Sequence, residues 1–256
     1  MGFRRDAAIG AFFLLECLRN RPIQEILLYH SVGDSVSTAV PRSAFRSHMR
    51  RLKRKSNVFP LRDLRRPTPA TTNQNVTVVT FDDGALDNYT VALPILEEFG
   101  IKATFFIVTG CIGGIYKGTY FQTRAMSKPQ LRELASLGHE IAAHTESHPR
   151  LAEIPLPEAR EEMVRSKKCL EDLIGLPVAS FAYPFGQFNE ELRRCAGEVG
   201  FSFAVTMKEG ILTGGEFDWL ALPRLGIERS TTIVQFMAKT SYAFERYERF
   251  RGRRNQ

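Results

Sequence analysis

Cysteine is scarce and scattered. Cys17, Cys111, Cys169 and Cys195 stand far apart in 256 residues and form no CxxC pair. That spacing argues against a disulfide framework and a zinc-thiolate site, leaving reduced, mostly buried thiols as the expectation. Long apolar runs are missing too: no segment approaches the roughly 20 apolar residues needed to cross a bilayer. The stretch from Ala7 to Leu15 follows Arg4 and Arg5 like a short secretory h-region, but Asp6 and Glu16 bracket it and no small-x-small cleavage site follows. An amphipathic leading helix is expected there, with attachment to a membrane surface as the alternative. These features favour a cytoplasmic or membrane-peripheral protein over a secreted one. No zinc finger, RNP-like aromatic pattern or internal repeat is present, so no specific nucleic-acid partner is expected.

Charge is plentiful but uneven. Residues 1–70 carry 14 Lys/Arg against 5 Asp/Glu, a net +9; residues 241–256 carry +3, and the middle is −5. A basic periphery around an acidic body is either a solvated face or a contact for anionic lipid or polymer. A hydrophobic content of 43% over 256 residues can bury a sizeable core. One domain is expected, since α/β barrels reach this length undivided. It should cover 25–242, with a leader at 1–24 and a basic tail at 243–256.

Short β-rich runs alternate with helical patterns. Strands are predicted at Ile26–Tyr29, Val76–Phe81, Ala103–Val108, Glu140–Ala143, Ala179–Tyr183, Phe201–Val205 and Leu222–Ile227. Helices are predicted at Ser43–Arg54, Asp87–Phe99, Lys128–Leu137, Pro157–Ile174, Glu190–Val199 and Thr232–Ala238. Ser127 can cap the third of these, and Pro157 fits a first turn. Gly100, Gly138, Gly175 and Gly200 each follow a helical run, where a left-handed cap is expected. The rhythm argues for a mostly parallel sheet, open or closed into a barrel. Residues 65–75 read as a surface loop, and 110–124 as a long loop near the site.

In such a sheet the C-terminal strand ends share one rim. Asp82 and Asp83 end one predicted strand, His144 and His148 follow another, Pro184-Phe185-Gly186 follows a third, and His30 ends the first. Adjacent carboxylates repel unless a cation or shared proton relieves them. Two histidines four apart with one carboxylate suit a divalent metal with open positions, as in catalytic zinc sites. Asp83, His144 and His148 are therefore the candidate ligands, with Asp82 free as a general base toward metal-activated water. His30 is the candidate acid by position, and backbone N–H groups near Phe185 are candidate oxyanion donors. Taken singly, each has a plainer reading: a capped turn at Asp82-Asp83-Gly84, loop histidines at 144 and 148, a satisfied buried histidine at 30. His48 reads as an exposed residue of a basic helix, and His139 as structural.

The set resembles the polysaccharide deacetylase family, carbohydrate esterase family 4. Thr80-Phe81-Asp82-Asp83-Gly84 is similar to its first motif, His144-Thr145-Glu146-Ser147-His148-Pro149 to its second, and Phe181-Ala182-Tyr183-Pro184-Phe185-Gly186 to a variant of its third. The resemblance implies a distorted (β/α) barrel, a divalent metal, most often zinc, and hydrolysis of N- or O-acetyl groups on sugars. It implies Asp82 as base, Asp83, His144 and His148 as ligands, and substrate contacts from Tyr183 and Phe185. Two departures stand out. The third motif usually carries an Arg that contacts the base, but Ala182 is there; Arg224 in Leu222-Pro223-Arg224 is a candidate substitute through a bidentate pair. Asp218-Trp219 resembles part of the fourth motif, with Trp219 either a sugar-stacking wall or core. The late Leu-x-His motif is also missing, since no histidine follows His148, but Leu28-Tyr29-His30 fits it at the other end of the chain. That order resembles rotated members acting on exopolysaccharides such as poly-N-acetylglucosamine. It assigns His30 as acid and an N-acetylated saccharide as substrate. The alternatives are a hydrolase of linear or cyclic non-sugar amides, a non-catalytic carbohydrate-binding protein, and a basic adaptor with salt-sensitive, metal-independent binding.

Overall fold

Parallel strands with both faces covered organise the chain. The computed structural model describes residues 23–34, 36–64, 75–118, 122–212, 217–241 and 244. Residues 1–22 of the predicted 1–24 leader, most of the basic tail and residues 65–74 of the predicted 65–75 loop lie outside them; Gln24 and Asn75 instead open β1 and β3. Strands β1 (Gln24–Tyr29), β2 (Ser56–Val58), β3 (Asn75–Phe81), β4 (Thr104–Ile107), β7 (Glu140–Ala143), β8 (Ser180–Ala182), β9 (Phe203–Val205) and β10 (Leu225–Gly226) form one sheet. Its order is β10-β1-β3-β4-β7-β8-β9, with β2 beside β3, and every pair is parallel. Segment 222–226 closes the curl: Leu222 bridges Val205 at one edge, and Leu225 pairs with Leu27 at the other. The α/β class and the distorted (β/α) barrel are thus present.

Residue alternation explains why each strand is apolar throughout. Ile26, Val78, Phe106, Ala142, Ala182, Val205 and Leu222 meet inside the curl, joined by Leu61 and Leu64. Leu27, Val79, Phe81, Phe105, Ile141 and Phe181 point the other way, onto the helices. Those helices are α1 (Arg42–Lys55), α2 (Leu93–Glu98), α3 (Lys128–Ser136), α4 (Leu156–Ile174), α5 (Glu190–Glu198) and α6 (Ile233–Lys239). Double coverage removes the polar alternation of a half-exposed sheet. Phe81 shows the packing: its ring stacks on Phe105 at 4.9 Å and on Tyr29 at 5.6 Å, with Phe45 of α1 edge-on at 5.8 Å. Burying one such side chain stabilises by about 1.5–3 kcal/mol.

Several elements differ from the sequence expectation. Helix 87–99 opens as a π turn over Asn88–Ala92, with Leu93 N–H bonded to Asn88 O. Pro94 lacks the N–H a regular helix would donate to Thr90 O, and the wider turn accommodates this. Pro223 interrupts the predicted strand 222–227, leaving a bridge and the short β10. The 110–124 loop contains a hairpin, β5 (Ile115–Lys117) and β6 (Gln122–Arg124). His48 is not exposed: its ring stacks on Phe236 at 3.9 Å and Nδ1 meets Tyr29 Oη at 3.2 Å. Of the three described cysteines, only Cys195 is buried. The four glycines after helices do adopt positive φ, from 60° at Gly100 to 94° at Gly200. Among the described residues no helix is long and apolar enough to cross a membrane.

One buried carboxyl lies away from the rim. Glu25 of β1 is fully covered, accepts one bond from Thr77 Oγ1 at 2.9 Å, and its Oε2 has no partner. Burial raises its pKa to about 8, against the opposing effects of Thr77 and Arg51. An unfolded Glu ionises near 4.5, so between that pH and about 8 the native state holds an extra proton. Stability then falls as pH rises, by at most about 1.4 kcal/mol per unit. Glu25→Gln is expected to remove that slope. Urea unfolding at pH 5 and pH 8 should show the variant's advantage growing with pH; an advantage equal at both would contradict it.

Candidate metal centre

The rim gathers the chemistry because each strand ends there. β3 delivers Asp82 and Asp83, β7 delivers His144, and the following loop returns His148. Asp83 Oδ1 lies 3.6 Å from His144 Nε2 and 3.6 Å from His148 Nε2. One donor atom from each of the three residues falls within 4.8 Å of the others. His144 Nδ1 donates to Ala182 O at 2.8 Å, which leaves Nε2 as a lone pair toward Asp83.

The loops reach this geometry through unusual backbone. Among the described residues, four that are not glycine have positive φ: Asp83 at 73°, Thr145 at 67°, His148 at 62° and Phe185 at 58°. All four sit on the rim, where each costs of order 1–3 kcal/mol and persists only under external restraint. That restraint is visible. Thr145 Oγ1 donates to His144 O at 2.5 Å and accepts His148 N–H at 2.9 Å. Glu162 of α4 accepts the Glu146 and Ser147 N–H groups, each at 2.8 Å. Gly110 lets the backbone approach: a Cβ there would lie 2.7 Å from Glu146 O. Gly186, at φ 66°, has the same role, since its Cβ would lie 2.4 Å from Met207 N.

Asp82 is outside the triad and has its own partner. Arg224 Nη1 donates to Oδ1 and Nη2 to Oδ2, both at 2.7 Å. The same guanidinium donates to Thr206 O at 2.8 Å and Thr80 Oγ1 at 3.2 Å, above the Phe106 ring. Burial pushes the Asp82 pKa up, but the Arg224 charge and hydrogen bonds prevail and hold it at about 2. Asp83 goes the other way: burial first, then the Asp82 charge, raise it to about 7 against a hydrogen bond from Tyr116. Burial lowers both ligand imidazoles, His148 to about 3, so both are neutral near pH 7. His30 is partly exposed, and burial lowers it as well, with Asp82 opposing.

The structure brings Asp82, Asp83, His144, His148, His30 and Arg224 together, and sets two other candidates elsewhere. Tyr183 alternates onto the helix-facing side of the sheet; its hydroxyl donates to Leu220 O at 3.0 Å and its ring stacks on Phe188. Trp219 is half-buried and packs edge-on against Phe203, at the start of β9 and so away from the rim. Asp218 pairs with Arg193. Phe185 is at the site, with its ring 4.7 Å from that of His148 and the Arg150 guanidinium 4.2 Å above it. Sequence reasoning missed Tyr116, which is buried, bonds Asp83 and meets the His148 ring edge-on at 5.8 Å. Its signal is the alternation Ile115 out, Tyr116 in, Lys117 out within the predicted 110–124 loop.

A family model described as polysaccharide deacetylase matches residues 70–204, more than half of the chain. The chain belongs to the polysaccharide deacetylase family. YxkH of Bacillus subtilis is 30% identical over 193 residues, covering 72% of this chain and 64% of its own length. The poly-beta-1,6-N-acetyl-D-glucosamine N-deacetylase of Staphylococcus aureus is 27% identical over 156 residues, 57% of this chain and 52% of that protein. A polysaccharide deacetylase from Bacillus cereus, solved by crystallography, superposes with a TM-score of 0.71 at 27% identity, covering 86% of this chain and 69% of that one. The chain thus spans less than two thirds of the curated relatives' length. Within the polysaccharide deacetylase family pattern, the guanidinium beside Asp82 comes here from the closing segment 222–226 rather than from position 182.

Proposed function

We propose that this chain is a metal-dependent deacetylase that removes the N-acetyl group from an N-acetylglucosamine-containing saccharide. The observation that carries the reading is an ionised carboxylate, Asp82, held by Arg224 immediately beside a separate Asp-His-His triad. A binding protein has no use for that free, oriented base.

The residues fit a divalent cation. Two imidazoles kept neutral by burial and one carboxylate converge, and Asp83 sits at an elevated pKa that a positive charge would relieve. Asp83, His144 and His148 would hold it, zinc being suited to this donor set. When bound, the metal supplies positive charge that polarises the acetyl carbonyl and acidifies water. Asp82 takes the proton of the attacking water. The turn at Pro184–Gly186 offers the oxyanion a donor: the amides of Tyr183, Gly186 and Gln187 are committed to Val205 O, Tyr183 O and Pro184 O, which leaves Phe185 N–H as the candidate. His30 gives a proton to the leaving nitrogen as the C–N bond breaks, releasing acetate and an amine.

The test is acetate release from β-1,4- and β-1,6-linked N-acetylglucosamine oligomers, with Asp82→Asn beside wild type. Turnover should fall by about 10²–10⁴-fold, the usual contribution of a general base, while metal content by elemental analysis is retained. Equal rates in the two proteins would sink the assignment of Asp82. Turnover of cyclic amides but not of saccharides would replace the substrate class.

A further inference from the structure

The loop that carries His30 is anchored by residues with no role in the chemistry above. Asn88 Nδ2 donates to His30 O at 2.8 Å and to Asp87 Oδ1 at 3.2 Å. The Asp87 carboxylate accepts the Ser31 hydroxyl and, at 3.4 Å, the Val32 N–H. Ser31, Asp87 and Asn88 are all buried. Asn88 Oδ1 has no hydrogen-bond partner, so this amide is held through its N–H groups alone. Gly33, at φ 117°, packs the loop's far end on Val91, where an added Cβ would lie 3.4 Å from Cγ2. Loop 30–33 therefore rests along its length on residues 87–91, where Asp87 caps the widened π turn and Asn88 opens it.

We propose that Asp87 and Asn88 are positioning residues for His30. Segment 82–88 then carries the base Asp82, the ligand Asp83 and the anchor of the acid, so three parts of one site are tied within seven residues. Backbone fixes the separation between base and acid: a short, buried run from Asp82 to Asn88, then one hydrogen bond to His30 O. The inference rests on the reading of His30 as acid. It adds that the imidazole's place is set by its own carbonyl and the next two residues, held from β3's exit. A general acid displaced by even about 1 Å loses much of its effect.

The test separates steps that need an acid from those that do not. An N-acetylglucosamine oligomer leaves as an amine and needs the proton; p-nitrophenyl acetate leaves as a stable phenolate and does not. The ratio of the two rates is measured for wild type, His30→Ala, Asn88→Ala and the milder Ser31→Ala, with metal content and circular dichroism as checks of folding. The expected result is a fall in the amide-to-ester ratio of about 10²-fold or more in His30→Ala and about tenfold in Asn88→Ala, with Ser31→Ala shifting it in the same direction. A purely structural role for Asn88 would lower both rates together and leave the ratio unmoved. A split in His30→Ala alone overturns the anchoring role while leaving the acid in place. No split in His30→Ala removes the acid and this proposal with it.

Discussion

Arg224→Ala is expected to lower turnover of an acetylated oligomer by about 10²–10⁴-fold, as loss of the base itself would. It is also expected to lower folding stability by about 3–5 kcal/mol, the cost of stranding one member of a buried ion pair. Both follow from the same four hydrogen bonds. Without the guanidinium, Asp82 stays buried and loses its two largest offsets to desolvation, which pushes its pKa upward. The carboxyl would then hold its proton near neutrality and could not accept one. In the wild-type protein the folded pKa, about 2, lies below the ordinary 3.8. The pair's contribution is therefore present above 3.8 and lost as pH falls toward 2. In the variant the sign reverses, so activity should recover as pH rises through the raised pKa. Arg224→Lys keeps the charge but loses the planar fork that spans both carboxylate oxygens, and should fall between the two. Steady-state rates across pH and urea unfolding check both effects. An alanine variant within threefold of wild-type turnover would refute the pairing's role.

His144→Ala is expected to reduce bound divalent metal from about one per chain to none under ordinary purification. Losing an outer-shell partner alone costs about 10–100-fold in affinity, and a ligand costs more. The pH dependence of loading gives a sharper signature. Asp83 keeps a proton up to about pH 7 in the metal-free protein, whereas His148 is neutral down to about 3 and His144 is lowered too. A metal entering just below pH 7 therefore displaces a proton from Asp83. Affinity should fall about tenfold for each unit of pH below 7 and flatten above it. Competition titrations with zinc at pH 5, 6, 7 and 8 measure this directly. A constant affinity from pH 5 to 7 would show that Asp83 holds no proton there for the metal to displace.

Much of the barrel was legible because parallel strands covered on both faces write themselves as short β-branched and aromatic runs. Val76–Phe81 and Glu140–Ala143 needed little else, and the four glycines fixed helix ends through their positive φ. The Asp83–His144–His148 cluster was legible for a different reason: the two histidines lie four apart in one loop, where spacing carries geometry, and Asp83 leaves a parallel strand at the same rim. What escaped depends on long-range contact. Ser56–Val58 is a strand only because β3 lies beside it. His48 looked exposed in a basic helix, yet its burial is supplied by Phe236, nearly 190 residues later. Motif resemblance points to Tyr183 as a substrate contact, but strand alternation turns it away from the rim, and Trp219 packs on Phe203 at the opposite end of β9. The Asp82–Arg224 contact was anticipated as a substitute for a missing motif arginine, but its bidentate form follows from the closing of the curl.

That closure also orders events in time. The paired residues are 142 positions apart. A chain synthesised from its N-terminus at about 5–20 residues per second exposes Asp82, Asp83, His144 and His148 well before Arg224, which trails Asp82 by roughly 7–28 s. Until segment 222–226 docks between the two sheet edges, Asp82 lacks the bidentate partner that holds it ionised. On the proposed reading, maturation of the base thus waits for the last strand, so that completing the barrel and completing the site are a single event.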